Sequence, residues 1–131
     1  MQTFLPYPDF RESARVLDRS RLGKQRVEAF QIMRALKDST YGWQNHPAVK
    51  MWRGYEGSLN EYYKSIVYEW VSRGYSHNMP MTLSDDAVIH PPWLGREDFH
   101  ASHRSALTYK YPEWYERYWD NAPLLEYIWP V

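Results

Sequence analysis

Between Leu59 and Val71 the apolar residues Leu59, Tyr62, Tyr63, Ile66, Val67, Trp70 and Val71 recur at i, i+3, i+4, i+7, i+8, i+11 and i+12, the spacing of one face of a helix with 3.6 residues per turn. A strand would alternate with period two, and no segment of the chain does so. The class implied is all-α. Gly54 and Gly57 bracket a break before this helix, Ser58 has the chemistry of its N-cap, and Gly74 that of its C-terminal cap.

A second helix is expected over Arg19–Lys37, a proline-free stretch behind Asp18, a good N-cap residue. Leu22, Ala29, Met33 and Leu36 fall on its core-facing stripe, while Arg21, Lys24, Gln25 and Glu28 gather opposite, since positions three and four apart are neighbours on a helix. The first ten residues, with Pro6 and Pro8, read as extended. Asp38–Thr40 and Gly42 carry turn chemistry, and Asn45-His46-Pro47 opens a short helix that runs to about Tyr55, with Pro at its first position. Asn78–Trp93 holds Pro80, Pro91 and Pro92 and reads as a long loop or arm. A third main helix is expected over Glu97–Lys110, and Pro112 starts a short aromatic one. With no internal repeat or low-complexity run, residues 1–131 are expected to form a compact single domain of three main helices, shorter helices and one proline-containing loop.

The chain has no cysteine, which excludes disulfide scaffolds, thiolate catalysis and cysteine-ligated zinc. It has neither a membrane-length apolar run nor a signal-peptide start, so a cytoplasmic location without membrane contact is expected. Sixteen Lys and Arg balance sixteen Asp and Glu, which argues against tight, sequence-blind binding to nucleic acid through net charge and leaves a local basic face as the alternative. Aromatic residues make up 18% of the chain, more than its core needs, so some rings are expected to face a ligand or partner.

The Arg21/Lys24/Gln25/Glu28 group reads either as a solvated face held by a Lys24–Glu28 pair or as a carboxylate among cations that orients a nucleophile while the cations hold phosphates. His100 and His103 sit i, i+3 on one helix face, with Asp98, His46 and His90 elsewhere, but the chain lacks HExxH and cysteine partners, so no metal and no cofactor is expected. Ser102-His103-Arg104-Ser105 offers phosphate or sugar contacts, or else a plain polar helix face. Trp114-Tyr115-Glu116-Arg117-Tyr118-Trp119 combines stacking rings with a guanidinium, a composition that can hold splayed bases as well as build a core.

Four pieces in this order carry a resemblance: Leu17-Asp18-Arg19 through Arg26-Val27-Glu28, Asn45-His46-Pro47, the Tyr62–Tyr75 helix ending in Ser72-Arg73-Gly74-Tyr75, and Pro112-Glu113-Trp114-Tyr115-Glu116-Arg117-Tyr118. The chain resembles the pyrimidine dimer DNA glycosylase family of the phage endonuclease V type. The resemblance implies removal of a damaged base followed by cleavage at the abasic site through an imine of the N-terminal α-amine, a group that titrates near pH 7.7–8.0 and is partly neutral at physiological pH. It also implies a helix-borne glutamate that handles sugar intermediates and arginines that grip a kinked, base-flipped duplex.

Carried over residue by residue, the resemblance places Arg26 on the family's arginine, Val27 at the ungapped position of its glutamate and Glu28 one later. The family exposes a threonine amine by losing its initiator Met, whereas the bulky Gln2 here is expected to retain Met1, which then supplies the amine. His46 matches a histidine of the middle helix, and His103 or Arg104 a basic residue of the late helix. Met1 and Glu28 are thus the expected catalytic pair. Arg21, Lys24, Gln25, Arg26, His46, His103, Arg104, Trp114, Tyr115 and Tyr118 are the expected contacts to double-stranded DNA bearing a damaged or modified base. The alternatives are a non-catalytic nucleic-acid or protein-binding module on the same fold, and an enzyme for another nucleoside-like substrate.

Overall fold

A computed structural model describes all residues 1–131. It contains six helices and no strand: α1 Phe10–Val16, α2 Arg19–Lys37, α3 Pro47–Lys50, α4 Glu56–Ser72, α5 Glu97–Lys110 and α6 Pro112–Tyr115. No helix is long and apolar enough to cross a membrane.

Helix α4 is the hub. Its periodic residues Leu59, Tyr62, Tyr63, Ile66 and Val67 are all fully buried, and both α2 and α1 pack along it. Gly23 lets α2 close on α4: a Cβ there would lie 3.0 Å from the Trp70 ring. The same hub binds the long arm, for Leu83 N–H donates to Asn60 Oδ1 at 2.8 Å and Tyr63 O–H donates to Pro80 O at 2.5 Å.

The helix begins earlier than its sequence suggests. Tyr55 is the N-cap and makes no side-chain capping bond. Ser58, the expected cap, lies inside the helix, with its hydroxyl 2.8 Å from His90 Nδ1. Gly57 is likewise helical, and its missing side chain serves a different end: a Cβ would stand 2.1 Å from Ala87 O, so only glycine admits the arm backbone against this first turn. At the far end Arg73 is the C-cap, and Gly74 takes φ +94°, the left-handed conformation that ends many helices.

Helix α1 is an element that the extended reading of the N-terminus omits. Asp9 caps it by accepting from Glu12 N–H at 3.0 Å, and Phe10, Ala14 and Val16 enter the core. Residues ahead of it are extended, as expected, but they are threaded through the centre of the helices rather than laid outside them. Trp52 Nε1 donates to Thr3 Oγ1 at 3.1 Å. Phe4 N–H donates to Gln25 Oε1 at 2.9 Å, and Phe4 O accepts from the Tyr62 hydroxyl at 2.8 Å. Leu5 N–H donates to His103 Nδ1 at 2.9 Å, and Leu5 O lies 2.8 Å from His100 Nδ1. Pro6 O accepts from Arg104 at 2.7 Å. Side chains from α2, α4 and α5 thus satisfy a backbone that no strand partners, as burial demands, while Trp52, in the turn after α3, holds the Thr3 hydroxyl.

Asp18 stands at the N-cap of α2, but its carboxylate does not cap the helix. It accepts from the Tyr115 hydroxyl at 2.5 Å and pairs with Arg21 at 3.2 Å, while Asp18 N–H donates to the same tyrosine oxygen at 3.0 Å. This fully buried ring joins α6 to the start of α2, and Tyr115→Phe removes both bonds in the interior. The substitution is expected to destabilise the fold by about 1–3 kcal/mol in urea unfolding. An unchanged midpoint would contradict the role assigned to the hydroxyl.

Candidate active site and nucleic-acid interface

Threading residues 3–6 through the core delivers the chain's first residue to α2. The Met1 α-amine lies 3.9 Å from Glu28 Oε1, with side-chain exposures of 5% for Met1 and 25% for Glu28. The second carboxylate oxygen, Oε2, accepts from Gln25 Nε2 at 2.7 Å. Burial raises the Glu28 pKa above the ordinary carboxylate value, while the charged amine, the Gln2 backbone, Gln25 and Lys24 pull against that shift. The group can therefore hold a proton closer to neutrality than a surface glutamate can.

Val27 is 41% exposed and stands about 100° round the helix from Glu28. Val27 therefore faces solvent, and the carboxylate that reaches the amine is Glu28.

Two adjoining clefts open along the N-terminal half of α2. The smaller, about 170 Å³, is lined by Gln2, Phe4, Ser20, Arg21, Lys24, Gln25, Glu28 and Lys110. The larger, about 480 Å³, is lined by Asp18, Arg19, Ser20, Gly23, Lys24, Trp70, Tyr111 and Trp114. Ser20 and Lys24 belong to both, so a carboxylate floor with basic walls continues into an aromatic groove. A formal net charge of zero thus coexists with a local basic strip formed by Arg19, Arg21, Lys24 and Lys110.

His46 lies close enough to this centre for the N-terminal charge to act on it: burial first, and then the amine, depress its pKa. Its Nδ1 caps α3 by accepting from Ala48 N–H at 3.0 Å, and its ring meets Trp129 edge-on at 5.7 Å. Tyr127 stands beside Gln2 and Glu28, and burial pushes its hydroxyl well above the usual tyrosine range. Lys110 and Tyr127 are not among the expected site residues, because neither sits on a periodic stripe or in a motif, and Gln2 is read only as the residue that keeps Met1.

Other expected DNA contacts are placed elsewhere. Gln25 is 1% exposed, at the edge of the smaller cleft, with its amide bonded to Phe4 and Glu28. Arg26 points about 200° away from Glu28, where its guanidinium covers the Trp70 ring at 4.3 Å and lies 3.0 Å from His77 Nδ1. His103 is fully buried and stacks on Tyr127 at 4.5 Å, and Arg104 is held by Pro6 O and the Glu97 carboxylate. Tyr115 belongs to the Asp18 linkage. Tyr118 is 41% exposed but lines neither cleft. Trp114 does line the larger cleft, held by donation from Nε1 to Val16 O at 2.8 Å, with Arg117 stacked on it at 4.2 Å.

Histidine, aspartate and glutamate side chains nowhere converge in a group of three that could hold a metal ion. His100 Nδ1 donates to Leu5 O while Nε2 accepts from Gly95 N–H at 2.9 Å, and His103 grips the other side of the same residue. The two imidazoles are spacers for the N-terminal segment.

The architecture is therefore an all-α fold that brings an N-terminal amine to a helix-borne carboxylate at the floor of a basic, aromatic cleft. The family model described as pyrimidine dimer DNA glycosylase matches residues 1–83, and the chain belongs to that family. No curated protein and no solved structure matches it. The matched stretch includes Met1, Glu28 and His46; the Pro112–Tyr118 piece lies outside it.

Both spacer histidines have depressed pKa values through burial, His103 to about 3. The unfolded chain takes up protons near the ordinary value of 6.5 and the folded chain does not, so stability is full above that pH and falls as the pH drops toward 3. Urea midpoints are expected to decline between pH 7.5 and pH 5, with a smaller decline in His103→Gln. A midpoint flat across that interval would contradict the neutral-imidazole assignment.

Proposed function

We propose that the protein is a DNA N-glycosylase with abasic-site lyase activity, acting on damaged or modified pyrimidines in double-stranded DNA. The observation that carries this reading is the 3.9 Å approach of the Met1 amine to Glu28 in a chain of this family. The neutral amine attacks C1′ of the damaged nucleotide, and the N-glycosidic bond breaks with its electron pair leaving on the base, which takes up a proton. Loss of the amine proton and opening of the sugar ring give an imine at C1′. Removal of a C2′ proton then expels the 3′-phosphate, and water hydrolyses the imine to free the amine. Glu28 is the group within reach to accept the amine proton and return one to the sugar, and its raised pKa suits both tasks.

Arg21 and Lys24 on the cleft wall, with Arg19 and Lys110, have the charge and position to hold the backbone phosphates. His46, whose imidazole feels the N-terminal charge, is the candidate to position the sugar. Trp114 and Tyr111 offer ring surface for an unstacked base in the larger cleft.

The test uses one duplex carrying a cyclobutane thymine dimer and another carrying an abasic site, each treated with borohydride during turnover. A covalent adduct on both is expected, and Glu28→Gln is expected to slow base release by about 10²–10⁴-fold. No adduct on either duplex would contradict the amine mechanism. An adduct on the abasic duplex alone would leave the lyase step and remove dimers from the substrate class.

Phosphate binding is tested separately. In Lys24→Ala the slope of log binding constant against log salt is expected to fall by about 0.9, the value for one lost phosphate contact. An unchanged slope would take Lys24 off the DNA.

A further inference from the structure

Gln25 holds the Glu28 carboxylate from the core side of the smaller cleft. Its side chain is 1% exposed. Oε1 accepts from Phe4 N–H at 2.9 Å and lies 2.7 Å from the Tyr62 hydroxyl, while Nε2 donates to Glu28 Oε2 at 2.7 Å. The orientation of the amide is dictated by its partners, since a flipped group would face the Phe4 N–H with a donor and the carboxylate with an acceptor. Tyr62 has one hydrogen and two acceptors in range, Phe4 O at 2.8 Å and Gln25 Oε1, so α4 clamps the same junction.

We propose that Gln25 is a positioning residue that fixes which oxygen of Glu28 does proton chemistry. Nε2 can donate but cannot accept, so Oε2 is kept as an acceptor and a proton taken up by Glu28 resides on Oε1. Oε1 is the oxygen 3.9 Å from the Met1 amine. The other end of the same amide anchors the backbone at Phe4, three residues along from that amine. One buried side chain thus sets both ends of the amine–carboxylate approach and the face on which the proton is held.

This inference rests on the reading of Glu28 as the acid and base of the proposed reaction, and the experiment separates the two. In Q25E a carboxylate replaces the amide. It still accepts from Phe4 and Tyr62, but it confronts Glu28 Oε2 with a second carboxylate, and two such groups share a proton. The Glu28 carboxyl, followed by carbon-13 NMR in the absence of DNA, is expected to titrate about one pH unit or more higher than in the wild type. The acidic limb of single-turnover cleavage of the abasic duplex is expected to move with it. Tyr62→Phe, which leaves the Gln25–Glu28 bond in place, is expected to lower thermal stability with the acidic limb unmoved.

A folded Q25E whose Glu28 titration matches the wild type overturns the inference. A moved titration with an unmoved rate profile upholds the positioning of the carboxylate and overturns the assignment of Glu28 to the chemistry. If Q25E does not fold, the wild type still decides: the Gln25 side-chain amide protons are expected to shift with the midpoint of the Glu28 carboxyl, and their indifference to pH would overturn the inference.

Discussion

A buried backbone without a strand partner is the constraint on which the rest of this structure depends. Residues 3–6 run extended through a helical core, and each exposed amide or carbonyl there would cost the full penalty of an unmade hydrogen bond. The core meets that demand with side chains: Gln25 and Tyr62 at Phe4, two neutral imidazoles at Leu5 and a guanidinium at Pro6. Gln25, Tyr62, His100 and His103, polar groups in the interior of α2, α4 and α5, are explained by this single task. The segment in turn determines where the terminal amine emerges, which is beside Glu28.

Opposing electrostatic effects meet at that point. Burial disfavours the ionised Glu28, and the amine, Gln25 and Lys24 favour it; burial is the largest of these and the pKa rises. A carboxylate of this kind, half withdrawn from water and 3.9 Å from the terminal amine, is the arrangement that the proposed proton transfers call for. The basic strip beside it reconciles a chain of zero net charge with a polyanionic substrate, because attraction over a Debye length depends on local rather than total charge.

The long helices were legible because their information is local. The face of α4 repeats within the helix itself, and the Arg21/Lys24/Gln25/Glu28 group follows from helical spacing alone. Helix α1 was missed although Asp9 and Glu12 carry an N-terminal signal, since seven residues behind two prolines give no sustained period. Ser58 looked like a cap because serine is a good one, but Gly57 lets the helix start upstream beneath the arm. The deeper gap concerns His103, Arg104 and Tyr115. Their partners lie 97–98 positions away in the chain, so hydrogen-bonding chemistry that serves the interior is indistinguishable, in the sequence, from chemistry that serves a phosphate.

The central claim is that the fold threads its first residues through the core in order to present the Met1 amine to Glu28. The most direct measurement is the site of the borohydride-trapped DNA adduct, located by mass spectrometry of the digested protein. The account predicts a single modification on the α-nitrogen of Met1. A modification on the side chain of Lys24, the other amine lining both clefts, would contradict it.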